Sequence, residues 1–442
     1  MNTIKVELER GSPYCSGSEI FLNRSEGPKI RVPFKVEDYI RCRGAINELA
    51  FEFAYFCAII YGCDRSEKRD VIGGDRWTRE FDVIIPVSDP VLWNQAASVA
   101  QSALEFLTGD LWHLRFISYV EPLLGHPFRS HRRKFRKRSR MTGDVVSLFS
   151  GGLDSLIGVI NWLEDNPDSK IVLASTYDAM AENAKSDQSR LLAYLKDEYP
   201  SRYQYFVARA GVCNDGVDGN FRSRSLAFIG NAILAASFVG AGAPVLIPEN
   251  GAIALNFPLT PARAGSMSTR TVHPLFINLL NEFLQALGLQ HIVENSYRLY
   301  TKGEMVQQCL NPVFLHKVYA DSVSCGKRGF DRKHWSDKHA HGCGVCVPCI
   351  FRRAALLSAG YAEEGYGHDV LDRLSWGRDI LKHNGDLQAA IDFVESAYSS
   401  DEIWSMAKGS TRLDISQKED YISLVQRLRD EVAVWLKSVN LI

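Results

Sequence analysis

The stretch from Val145 to Gly158 reads Val-Val-Ser-Leu-Phe-Ser-Gly-Gly-Leu-Asp-Ser-Leu-Ile-Gly, and its reading decides the fold. The first five residues are a largely apolar run of strand length, and the last ones open an apolar helix. Between them lie Ser150, Gly151, Gly152, Leu153, Asp154 and Ser155. Two glycines without Cβ let the chain turn tightly and bring successive N–H groups toward one anion, while Ser150 and Ser155 add hydroxyl donors at the helix N-terminus. A phosphate group suits such a turn. Asp154 suits it only if a cation lies between, so it is expected to be a magnesium ligand or an orienter of donors. A tight strand-to-helix turn also needs glycine for purely structural reasons, so the turn alone is weak evidence. The Gly-Lys-Ser or Gly-Lys-Thr string of γ-phosphoryl transfer is absent.

Outward from the turn, buried-strand candidates recur at Ile171 to Ser175, Gln204 to Arg209, Val245 to Pro248 and His291 to Glu294, separated by helical patterns. This alternation predicts βαβ units and a parallel sheet, with ligands beyond the carboxyl ends of the strands. Ser175, Thr176 and Tyr177 end the second strand. Glu249 and Asn250 end the fourth, where a carboxylate could accept N–H groups of a ligand; an Asn-Gly turn is the plain alternative. Arg222 and Arg224 open the apolar helix Leu226 to Val239, where a guanidinium could face a carboxylate or phosphates. Either could equally be a surface residue.

The chain has 442 residues, 46% hydrophobic and 23% charged, which predicts a globular protein of two or three domains. No run of eighteen uncharged apolar residues occurs, and Glu7, Glu9, Arg10 and Arg24 interrupt the first thirty. No membrane span or secretory signal is therefore expected, and the predicted location is the cytoplasm. The 51 basic and 52 acidic residues nearly balance, but eight of the bases crowd into Arg129 to Arg140 with no acid among them. That run could bind nucleic acid; a solvated linker or a contact with an acidic partner is the favoured reading.

Three regions are predicted. Residues 1–140 form an accessory α+β domain, with a helix over Ile46 to Tyr61 and a strand over Phe81 to Pro86, ending in the basic linker. Residues 141–360 carry the parallel sheet, and residues 361–442 are helical. There Ser416 and Glu419 read as a capping box before an apolar face running from Tyr421 to Val439, packed on its own protein or on a partner.

Ten cysteines diluted in a long chain do not read as a disulfide framework. Three crowd together at Cys343, Cys346 and Cys349, a spacing that lets a turn and a helix start converge on one ion. Cys325 is the leading fourth ligand for a structural zinc; Cys309, His334, His339 and His341 are the alternatives.

The six-residue turn resembles the PP-loop of the ATP pyrophosphatases. With Thr301-Lys302-Gly303-Glu304-Met305-Val306, Ser324-Cys325 and the Cys-Gly-x-Cys-x-x-Cys-x-x-Arg string at Cys343 to Arg352, the chain is similar to the 7-cyano-7-deazaguanine synthase (QueC) family over roughly residues 145–360. The resemblance implies a Rossmann-like PP-loop domain of the adenine nucleotide alpha-hydrolase kind. It implies an ATP-dependent ligase that adenylates 7-carboxy-7-deazaguanine and holds zinc through four cysteines. Residues 150–155 would then bind ATP with magnesium, Ser175 to Tyr177 the adenosine, and Glu249, Asn250 and Arg222 the substrate, with Asp154, Ser155 and Arg224 catalytic. Lys302 and Glu304 match a family string, although a surface salt-bridged helix start explains them nearly as well.

The added terminal regions, the Phe221 to Ser225 string and the long Lys-, Arg- and His-rich loop after Cys325 depart from the family. They resemble the QueC-like proteins of bacterial anti-phage operons, the Qat system first and type IV CBASS second. That resemblance implies amide formation with the N-terminal amine of a partner protein. A free-standing nitrile synthase using ammonia, a PP-loop enzyme modifying tRNA, and a non-catalytic scaffold are the competing expectations.

Overall fold

The computed structural model describes residues 2–9, 19–24, 27–32, 47–69, 77–119, 141–178, 184–210, 222–263, 270–327, 335–371, 380–409 and 413–442. Ile46 and the basic run 129–140 lie outside the described residues.

The N-terminal region contributes strands β1 (Asn2–Glu9), β2 (Glu19–Arg24), β3 (Ile30–Val32), β4 (Glu80–Val87) and β5 (Leu111–Ser118), with helices α1 (Glu48–Ser66) and α2 (Pro90–Thr108). They form a mixed sheet in the order β3-β2-β1-β4-β5, with β1–β4 and β4–β5 parallel and the other pairs antiparallel. Along β5 the side chains of Trp112, Leu114 and Phe116 turn inward while their neighbours face outward, the two-residue period of a half-buried strand.

A second sheet follows the glycine turn, built from β6 (Val145–Leu148), β7 (Ile171–Asp178), β8 (Tyr203–Ala210), β9 (Val245–Leu246) and β10 (Val293–Glu294). Its order is β10-β9-β6-β7-β8, and every pair is parallel. The chain is thus an α/β protein rich in parallel pairing, as the alternation predicts. From β6 the sheet grows first toward β8 and then, on the other side, toward β10. The carboxyl ends of β6 and β9 flank that reversal, the position at which open parallel sheets bind their ligands.

The helices of this region are α3 (Leu153–Asp165), α4 (Ala184–Glu198), α5 (Arg224–Val239), the short α6 (Gly251–Ala254) and α7 (Pro274–Ala286). Leu156 and Ile160 of α3 and Leu191 and Leu195 of α4 share a core with Val145, Ile171 and Leu173 of the sheet. On the opposite face, Ile229 and Ile233 of α5 and Phe276, Leu280 and Phe283 of α7 join one continuous core with α1, α2 and the first sheet. Helix α1 lies inside this core and is buried from Ala50 to Ser66, which is why its sequence is apolar around most of its circumference. Close approach requires small residues here. A Cβ on Gly230 of α5 would stand 2.7 Å from Cys57 Cβ of α1, and one on Gly62 would stand 2.5 Å from Val32 Cγ2.

A buried charge network ties the two layers. Arg69 and Arg79 both bind Asp110, at 2.6 and 2.7 Å, and Arg79 also binds Asp64. The second oxygen of Asp64 accepts the backbone N–H and hydroxyl of Ser223, just before α5. Arg222 belongs to this junction, donating to the Thr108 carbonyl and stacking 4.7 Å from the Trp77 ring centroid. This corrects its expected substrate role: the guanidinium reaches the N-terminal region.

The chain continues through α8 (Lys302–Gln307), α9 (Pro312–Val318), α10 (Val347–Ser358), α11 (Ile380–Glu395), α12 (Ser400–Lys408) and α13 (Lys418–Ser438). Tyr421, Leu424, Val425, Leu428, Val432, Trp435 and Leu436 of α13 bury the expected apolar face against this chain's own helices, with Val439 half-buried beside them. The Ser416–Glu419 capping box does not form. Residues Ile415–Gln417 make a 3₁₀ turn capped by Asp414, which accepts the Ser416 N–H, and α13 starts after it. Among the described residues no helix is long and apolar enough to cross a membrane.

His273 caps α7 through its Nδ1, which accepts the Leu275 N–H, and the residue is fully buried. Burial, with the charge of Arg270 added, pushes its imidazole down to about 3. Between that value and the ordinary histidine value the unfolded chain binds the extra proton, so this residue's contribution to stability is fully present above about pH 6.5 and declines as pH falls. Urea midpoints measured from pH 7 to 4 should fall less steeply for His273→Asn, which keeps a capping oxygen without the titrating ring.

Candidate functional site

The turn after β6 forms a compact cradle. Gly151 has φ +84°, a left-handed conformation suited to glycine. Ser150 Oγ accepts the Gly152 N–H at 3.2 Å and lies 3.2 Å from Ser155 Oγ, which donates to the Gly152 carbonyl. Leu153 starts α3 and is fully buried. Farther along α3, a Cβ on Gly158 would sit 2.3 Å from Pro248 Cβ. The missing side chain therefore lets α3 pack directly on the end of β9 and brings Asp154 to Glu249 and Asn250.

Asp154 is 4% exposed, and both of its oxygens are engaged. Oδ1 pairs with the Lys302 ammonium; Oδ2 accepts the Asn250 side-chain amide at 2.7 Å and its backbone N–H at 3.3 Å. Burial opposes the charge on Asp154, but Lys302, with hydrogen bonds from Glu249 and Asn250, brings its carboxyl down to about 2. Glu249 moves the other way: burial and the neighbouring Asp154 push it well above the usual carboxylate range. The two carboxyls thus shift in opposite directions, Asp154 toward its charged form and Glu249 toward its protonated one. A magnesium ion at Asp154 would have to displace Lys302, so the donor set fits an orienting role for Asp154 and does not fit that metal.

Lys302 is 4% exposed, not the surface residue that a salt-bridged helix start would give. It opens α8 behind a complete capping box, in which Thr301 and Glu304 satisfy each other's backbone N–H groups. The same Thr-x-x-Glu string that reads as a helix start thus aims its second residue inward.

The other expected contacts divide. Asn250 spends its amide on Asp154 and Glu249 and its oxygen on the Ile253 N–H, so it orients Asp154 and has no donor left for a base. Ser175 is buried and donates to the Phe149 carbonyl at 2.5 Å, while Thr176 accepts from Asn231 of α5 at 3.3 Å. Both hydroxyls join β7 to its neighbours. Tyr177 lies within β7, and its side chain is outside the described set. Arg224 begins α5 with its guanidinium 5.7 Å from the Phe228 ring centroid.

The four cysteines do meet. The sulfurs of Cys325, Cys343, Cys346 and Cys349 all lie within 4.8 Å of one another. A tetrahedral zinc with bonds of about 2.3 Å sets its sulfurs about 3.8 Å apart, and Cys343 and Cys349 stand at 3.9 Å. Backbone N–H groups of Lys327 and Cys343 point at Cys325 sulfur, and that of Cys346 at Cys343 sulfur, as expected around thiolates that share a cation. The set could hold a metal such as zinc. His339 and His341 line a cavity of about 420 Å³ beside Cys325 and Cys349, Cys309 is buried in another core, and His334 lies outside the described residues.

The cluster and the glycine turn are joined. Val323, two residues before Cys325, donates its N–H to the Gly151 carbonyl at 2.9 Å. Arg352, three residues after Cys349, donates to Ser322 Oγ and the Tyr319 carbonyl and pairs with Glu364. Sequence reading singled out Arg352 only as part of a string; its task is to fasten the loop between cluster and turn.

Compared with known proteins, the chain matches no family model and no curated protein.

Metal analysis should find one zinc per chain. Cys343→Ser should lose it and cost about 3 kcal/mol or more in a denaturant melt, while Cys309→Ser keeps the metal. A wild-type protein without zinc, or a Cys343→Ser variant that retains it, refutes the assignment.

Proposed function

We propose that the chain is an ATP-dependent carbon–nitrogen ligase of the QueC-like, PP-loop kind, acting on the carboxylate of a 7-carboxy-7-deazaguanine-like acid. The observation that carries the reading is the buried Asp154–Lys302 pair beneath a glycine turn at the sheet's reversal point. That arrangement fixes an ammonium on the residue that follows the turn's glycines by two positions, which suits negative charge developing on a phosphate chain. In the reaction a substrate carboxylate oxygen attacks the α-phosphorus of ATP, and the α–β bridging bond breaks to release pyrophosphate. An amine then attacks the acyl carbon, AMP leaves, and the amine gives up one proton.

The residues act by position. The Gly152 amide and the hydroxyls of Ser150 and Ser155, which bond one another within the turn, exchange those bonds for departing phosphate oxygens, joined by the Gly151 amide. Lys302, held in place by Asp154, sits where that charge builds. Asn250 and Glu249 fix the rotamer of Asp154. Cys325, Cys343, Cys346 and Cys349 would hold a zinc, which would tie the Cys325 loop together beside the turn.

The acceptor in this reading is the N-terminal amine of a partner protein, in a cytoplasmic anti-phage operon of the Qat type. An α-amine with a pKa of about 8 is far more often deprotonated at neutral pH than a lysine at about 10.4, and the regions 1–140 and 361–442 offer surface that free ammonia does not need. The basic run fits an acidic partner better than a nucleic acid, since its lone aromatic residue, Phe135, gives no stacking series.

Pyrophosphate release should rise with the free deazapurine acid and ATP, and the partner should gain the acyl mass at its N-terminus. Stimulation by tRNA, or accumulation of free nitrile with ammonia, would replace this reading by the corresponding alternative. Asp154→Asn should lower release about 100-fold or more, assayed well below its melting point because Lys302 is left buried without its counter-ion. Release within threefold of wild type would exclude the proposed role of the pair.

A further inference from the structure

The segment carrying Lys302 is held from outside the sheet. Helix α13 sends Glu431 to it: one carboxylate oxygen accepts the Thr301 hydroxyl, and the other accepts the Gly303 N–H at 3.3 Å. A Cβ on Gly303 would come within 2.4 Å of that carboxylate, so glycine makes room for it. One turn earlier, Arg427 pairs with Glu304 at 2.7 Å and donates to the Leu299 carbonyl at 2.8 Å. From the other side, Gly251 donates its N–H to the Tyr300 carbonyl, and a Cβ there would lie 2.3 Å from the Arg298 carbonyl oxygen. Residues 298–304 are therefore clamped between α6 and α13.

The six-residue α8 cannot supply this rigidity alone, because a helix of that length does not repay its own nucleation. The hydrogen bonds of Glu431 flank Lys302 on both sides, at Thr301 and Gly303. We infer that Glu431 is a positioning residue, holding the backbone at Thr301 and Gly303 so that the Lys302 ammonium meets Asp154. The inference rests on the reading of Lys302 and Asp154 as the functional pair. Burial pushes the Glu431 carboxyl up to about 7, so a neutral amide of the same shape is a tolerable substitute.

Two measurements on the full chain test this. The first, independent of activity, is the rate at which an amine-reactive acylating reagent modifies Lys302, followed by peptide mass spectrometry with Lys196 as internal reference. Glu431→Ala should raise that rate at least tenfold with Lys196 unchanged, while Glu431→Gln and the exposed-site control Asp430→Ala should match wild type. The second is pyrophosphate release, in which Glu431→Ala should lose at least tenfold in kcat with less than threefold change in KM for ATP, and Glu431→Gln should recover most of it. Unchanged Lys302 labelling in Glu431→Ala overturns the positioning role whatever the activity. If labelling rises but Lys302→Met still releases pyrophosphate normally, the positioning stands and the functional reading of the pair fails.

Discussion

A carboxylate and an ammonium, each almost wholly withdrawn from water, face each other at Asp154 and Lys302, and much of the architecture around the second sheet is arranged to make that tolerable. Removing either charge from water alone costs several kcal/mol, and attraction in the interior offsets this only with good geometry and satisfied remaining hydrogen-bonding groups. The protein supplies both. Asn250 gives Asp154 two more donors, and burial beside Asp154 favours the protonated form of Glu249, which relieves the crowding. A hydrophobic pair of similar volume would be at least as stable. Stability alone therefore does not account for the ions here.

The pair is assembled from distant parts of the chain. Asp154 comes from the first turn of α3, Asn250 from the end of β9, Lys302 from the start of α8, and the Glu431 clamp from α13. Helices α3 and α8 share one core, β9 packs into a second and α13 into a third, so the site forms only once those cores have packed. The N-terminal layer takes part at one remove. Asp64 receives the Ser223 N–H and hydroxyl at the N-terminus of α5, where an anion also complements the helix dipole. Helix α5 covers the face of β6 and β7 opposite α3, and Asn231 reaches from it to Thr176 at the end of β7. Arg222, which looks from sequence like a ligand for a carboxylate, is instead the rivet of this junction.

What could be read in advance follows a physical division. Local periodicity announced the strands of the second sheet and the apolar face of α13, because burial on both sides of a sheet or along one stripe leaves its mark on consecutive residues. The cysteine spacing announced three ligands, and proximity in sequence led to the fourth. Strands β1 to β3 left weaker traces, being short or broken by charge, although Leu111 to Ser118 alternates in a form that could have been read. Long-range partnership left no trace at all. Nothing near Lys302 says that it is buried, since a capping box looks the same whether its second residue faces water or a carboxylate. Nothing near Ser175 or Asn250 says that their polar groups are consumed by the Phe149 carbonyl and by Asp154.

The cysteine cluster gains its significance from the same consideration. It lies at the far end of a short relay: Cys325 is two residues from Val323, whose N–H holds the Gly151 carbonyl, and Arg352 of α10 fastens the residues just before it. Gly151 is the residue whose left-handed backbone shapes the cradle, and its carbonyl orientation fixes the direction of the following amides. A metal bound by four cysteines would close the Cys325 to Cys349 segment into one rigid piece and so set the height of Val323 above the turn. A metal remote from any reacting atom can in this way govern how well the cradle's amides converge. It leaves the burden of charge to Lys302, which is the only cation that the described residues place on Asp154.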